Sequence, residues 1–99
     1  MQSSYAERFA REMGCTEAEW LRCLPDAIGD HHWKLQVHSA GVRIGDGALG
    51  LTWRVGEPRV IALMRMPRLL VSFRFAGLDE AQRYVFMKRF DLYMQRGGG

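Results

Sequence analysis

Between Gly47 and Ala76 large apolar and polar side chains alternate with a period of two, which restricts this stretch to strands with one buried face. Two turn signals divide it. Gly56-Glu57 separates 47–55 from 58–66, glycine supplying the positive φ a tight hairpin needs. Pro67-Arg68 separates that strand from 69–76. Pairing through the first turn sets Trp53 opposite Val60, Leu51 opposite Ala62 and Leu49 opposite Met64. The second sets Met66 opposite Leu69, Met64 opposite Val71, Ala62 opposite Phe73 and Val60 opposite Phe75. All of these share one face. The other face then carries Arg54, Arg59, Arg65 and Arg74, with Ile61, Leu63 and Leu70 among them.

The pattern extends backward through a Gly45-Asp46 turn, which pairs Ile44 with Gly47 and Val42 with Leu49. Trp33, Leu35 and Val37 alternate in the opposite parity to Val42 and Ile44. One extra residue at Ser39-Ala40-Gly41 restores the phase, and a small, glycine-containing stretch is where a β-bulge is expected. A break into two short strands is the alternative.

Capping boxes mark the helices. Ser4 with Glu7 opens a first one through Ala6, Phe9, Ala10 and Met13, stopped by Gly14. Thr16 with Glu19 opens a second, which Pro25 ends. Asp79 with Gln82 opens a longer one to about Gln95. The last has an apolar stripe so wide that it implies contact on more than one side, with the sheet and the N-terminal helices or with a partner chain. The expected fold class is α+β in two layers. Two short N-terminal helices precede a four-stranded antiparallel β-meander, and a C-terminal helix packs on one sheet face.

Ninety-nine residues make one domain, 1–99, with 1–3 and 96–99 read as frayed tails. A content of 47% hydrophobic and 25% charged residues leaves no room for a disordered block. No apolar run approaches the roughly 20 residues of a membrane span, and no secretory segment opens the chain. The expected location is cytoplasmic, and no membrane is expected among its partners.

The residues that could carry chemistry make no constellation. Cys15 and Cys23, read as lying on one helix, stand roughly 12 Å apart along its axis, too far for one metal ion or a disulfide. His31 and His32 diverge as neighbours in a strand. A catalytic histidine needs an orienting carboxylate or a nucleophile, and no spacing supplies one. No metal, no cofactor and no catalytic residue is expected, and the chain reads as a non-enzyme. The tail Arg96-Gly97-Gly98-Gly99 resembles, over three residues, the glycine terminus of ubiquitin-like modifiers and sulfur carriers. There the tail follows a strand of a β-grasp domain; here it follows a helix. A glycine helix stop accounts for it.

The arginines remain. Twelve of the 14 basic residues are arginine, and Arg54, Arg59, Arg65 and Arg74, with Lys34 and Arg43 near them, share the polar sheet face. Arg54 and Arg59 read as direct cross-strand partners, and like charges in that relation cost stability unless something anionic joins them. His38 is placed near Arg54. Nucleic acid would require exposed aromatics for stacking, but Trp53, Phe73 and Phe75 point to the other face, and a net charge of +3 is modest. Arginine mixed with Ile61, Leu63 and Leu70 has the composition of a protein interface. The expected function is a non-catalytic protein-interaction module, with an acidic partner or a second copy in a homodimer. The alternative is an anionic small ligand or nucleic acid bound, or a ligand acted on, at the same face with His38 assisting.

Overall fold

The computed structural model describes residues 4–96. The order is β1 (Arg8–Met13), α1 (Glu17–Ile28), β2 (Trp33–Leu35), β3 (Ser39–Ile44), β4 (Gly47–Val55), β5 (Arg59–Ile61), β6 (Met64–Met66), β7 (Leu69–Ala76) and α2 (Glu80–Arg96). Five strands form an antiparallel sheet in the order β1-β7-β4-β3-β2, while β5 and β6 pair only with each other. Both helices contribute to a core built on one face of that sheet. The α+β class and the C-terminal helix on the sheet match expectation; the number of helices and strands does not.

Four elements depart from expectation. The segment 4–14 is a strand, not a helix. Its apolar residues fit a helical period because position 11, which faces the helices, is an arginine. The Arg11 guanidinium is received there by Asp91 of α2, at 2.5 and 3.0 Å, and lies over the Tyr5, Phe9 and Phe73 rings. With that partner, Phe9, Arg11 and Met13 face Phe73, Val71 and Leu69 as strand neighbours.

The second concerns the stretch 58–66, which is not a strand of the sheet. β4 pairs directly with β7, setting Trp53 opposite Val71, Leu51 opposite Phe73 and Leu49 opposite Phe75. Gly56 continues that ladder by donating its N–H to the Arg68 carbonyl, so it is no hairpin turn. The intervening residues fold on themselves as a small hairpin, turning at Ala62, whose φ is +54°. Parity in β4 and β7 survives because the true register differs from the expected one by whole pairs of residues.

The third concerns the break before β3. It is a hairpin through residues 36–38 rather than a bulge, closed by the Gln36 N–H on the Ser39 carbonyl. Trp33 and Val42 thereby regain a common face. The turn Ile44–Gly47 and the pair Val42–Leu49 form as expected.

The Thr16–Glu19 box opens α1 with reciprocal bonds, but Pro25 does not end the helix. The helix runs to Ile28 and stops at Gly29, whose φ of 76° suits glycine and whose N–H reaches the Pro25 carbonyl. Asp79 and Gln82 likewise bond each other's backbone N–H at 2.8 and 3.0 Å and open α2. This helix buries Phe86, Met87, Phe90 and Met94 against the sheet and α1. Phe73, fully buried, stacks on Phe9 at 4.6 Å and meets Phe90 edge-on at 5.6 Å. Burying side chains of this size stabilises by roughly 1.5–3 kcal/mol each. The expected tail residues 1–3 and 97–99 lie outside the described residues; Arg96 belongs to α2.

Candidate functional site

With both helices on one side, the sheet's other face is left open. Its residues follow from the register. One row crosses all five strands as Arg8, Arg74, Gly50, Gly41 and Lys34. Beside it lie Ala10, Ser72, Thr52 and Ser39, and beyond these Glu12, Leu70 and Arg54. On the other flank are Ala76, Ala48 and Arg43. The result is a floor of glycine, alanine, serine and threonine, edged by Arg8, Lys34, Arg43, Arg54 and Arg74. All five basic side chains are exposed, and none makes an ion pair among the described residues. Shallow depressions follow this floor, one along Arg8, Gly50, Thr52 and Arg74 and another along Lys34, Gly41, Arg43 and Ala48.

Gly41 and Gly50 are direct cross-strand partners in mid-sheet. Glycine inside a strand costs about 0.5–1 kcal/mol relative to alanine, so some gain elsewhere is expected. Backbone geometry does not require it, since neither has a positive φ. Nor does space within the fold. A Cβ on Gly41 would meet nothing within 4 Å, and one on Gly50 would come only to 3.8 Å of the Arg74 carbonyl. What these glycines keep clear is the volume above the sheet.

Glu12 is the one carboxylate among the strand residues of this face, and it is already engaged. Its two oxygens accept from Arg59 at 2.7 Å and Arg68 at 3.0 Å, and the Arg68 hydrogen bond above all holds its carboxyl below the usual carboxylate range. Through Arg59 it also ties the β5–β6 hairpin to the end of the sheet. This arm exposes Val60, Ile61, Leu63, Met64 and Met66. In its register Arg59 pairs with Met66 and Ile61 with Met64, while Arg65 pairs with Val60. Side chains that pair lie on one face, so Arg59 and Arg65 lie on opposite faces of the arm.

The residues singled out from sequence therefore divide. Arg54, Arg74 and Leu70 share the open face as expected. Arg59, Arg65, Ile61 and Leu63 belong to the arm instead, because β5 and β6 pair with each other and leave the sheet. His38 turns toward α1: its Nδ1 lies 2.9 Å from Glu17 Oε2, which also accepts from Trp53 Nε1 at 2.8 Å. These contacts, Trp53 first, hold the Glu17 carboxyl below its ordinary range. Sequence reasoning missed Arg8, because its segment reads as helical. It also missed the Gly41–Gly50 pair, although glycine inside a strand pattern is a signal of close approach from outside.

Compared with known proteins, the chain matches no family model, no curated protein and no solved structure.

Proposed function

We propose that this chain is a non-catalytic interaction module that takes an acidic protein partner on the open face of its sheet, the apolar arm adding a contact at one end. The observation that supports it is the Arg8–Arg74 pair. Two arginines are direct cross-strand partners on the open face, and neither has an ion-pair partner among the described residues. Like charges so placed are destabilising, and an incoming carboxylate converts that cost into two charge-assisted hydrogen bonds. Nucleic acid is the weaker candidate because the strand residues of this face include no aromatic side chain on which bases could stack.

The test is anisotropy titration of labelled poly-L-glutamate against a labelled polyuridylate strand of equal charge. Tighter binding of the polypeptide, lost on combining Arg8→Glu with Arg74→Glu, is expected. Tighter, steeply salt-dependent binding of the oligonucleotide assigns the face to nucleic acid instead.

One observation favours self-association as a second reading. Arg59 is engaged by Glu12, which it shares with Arg68, and the rest of that face of the arm is Ile61, Met64 and Met66. Two arms can meet there through apolar side chains, with each Arg59 held toward its own Glu12. Sedimentation equilibrium distinguishes the cases: a dimer that dissociates on Ile61→Lys supports this reading, and a monomer at all concentrations removes it.

A further inference from the structure

We infer that the acidic partner presents an α-helix of three to four turns to this face, lying along the strands over Gly41 and Gly50. The inference rests on the reading above and adds the shape of what binds. Charge sets the flanks. Lys34 and Arg43 stand toward the β2–β3 side and Arg8 and Arg74 toward the β7–β1 side, with Arg54 at the far end. Acidic side chains along both flanks of one element would meet all five.

The dimensions match a helix. Lys34 and Arg74 are three strand spacings apart, about 14 Å, and a helix with its side chains is about 10–12 Å across. The row holding Ala48 and the row holding Arg54 are six residues apart along β4, about 20 Å, a length spanned by about 13 helical residues. Between the flanks the floor is Gly41, Gly50, Ala48, Thr52 and Ser72, low enough for a helix backbone to approach closely. The two glycines are explained by neither φ nor crowding from within the protein; a close-packed helix above them explains both.

An extended peptide fits less well. A strand joins a sheet through the hydrogen-bonding groups of an edge, whereas this surface is a face whose backbone groups are committed to the ladder. The edges that could accept a strand are β1 and β2. A strand added at β1 would leave Lys34 and Arg43 without partners, and one added at β2 would leave Arg8 and Arg74 without them.

Two peptides of identical Glu/Ala composition and about 13 residues, one stapled as a helix and one blocked from helix formation by D-residues, are titrated against the protein by anisotropy. The helical peptide is expected to bind at least about tenfold more tightly. Gly50→Phe should remove that preference without lowering the melting temperature, and Gly41→Phe, where an added Cβ meets nothing within 4 Å, serves as the second variant. Equal binding of the two peptides, both weakened by Arg8→Glu with Arg74→Glu, overturns the helix while the acidic-partner reading stands. Binding that is insensitive to that charge reversal overturns both.

Discussion

Arg8 of β1 and Arg74 of β7 are cross-strand partners on the uncovered face of the sheet, and neither makes an ion pair among the described residues. An arrangement that weakens the fold is informative because it stands at an exposed position, where most substitutions are neutral and the fold does not require it.

Replacing Arg74 with threonine should therefore leave the domain as stable as before or slightly more so, by up to about 0.5 kcal/mol, since it removes like-charge repulsion and adds a good strand former. Urea denaturation measures this. A loss above about 1 kcal/mol would show that Arg74 supports the fold itself.

Gly47 behaves differently from the glycines of the open face. It is buried at the start of β4, and a Cβ there would come within 2.5 Å of the Ala76 carbonyl oxygen and 2.8 Å of that of Gly77. Both obstacles are backbone and cannot swing away. Gly47→Ala should cost about 1–3 kcal/mol by overpacking, whereas Gly41→Ala should be neutral or stabilising. Comparing the two melts tests the contrast, and equal shifts would contradict it.

Glu17 predicts the response to acid. Hydrogen bonds from Trp53 and His38 lower its folded-state pKa, so its stabilising contribution is present above the ordinary glutamate value of about 4.3. That contribution fades as pH falls through the lower folded value. Glu12 and Glu19 are lowered as well and act in the same direction. Urea midpoints should decline below about pH 4.3, less steeply in Glu17→Gln. An unchanged slope in that variant would exclude Glu17 as a contributor.

Tyr5 predicts the opposite limit. Burial first, then its donated hydrogen bond to Asp91 at 2.7 Å, push its pKa up to about 12. A raised folded value means the phenol stabilises the fold fully below the ordinary value of about 10, and the gain is lost as pH rises through the folded value. Ultraviolet titration should show one of the three tyrosines ionising near pH 12, absent in Tyr5→Phe. A wild-type titration with no ionisation near pH 12 that Tyr5→Phe removes would disprove the burial of this hydroxyl.

Elements whose signals are local can be read from the chain alone. Reciprocal side-chain bonds at Thr16–Glu19 and Asp79–Gln82 open helices wherever the chain goes. The alternation in 49–53 and 71–75 fixes which side chains face inward whichever strands are paired. The Gly45-Asp46 turn sets its own register. Three features depend on contacts between distant parts of the chain. Residues 8–13 became a strand because Asp91, some eighty positions away, receives Arg11 on the helix side. Residues 59–66 left the sheet because β7 pairs with β4 directly, a competition between registers of equal parity that no local pattern can resolve. The basic face was completed by Arg8, brought beside Arg74 by that same long-range pairing. Alternation records which side of a sheet a residue occupies but not its neighbour on that side, and the surface a partner meets is made of neighbours.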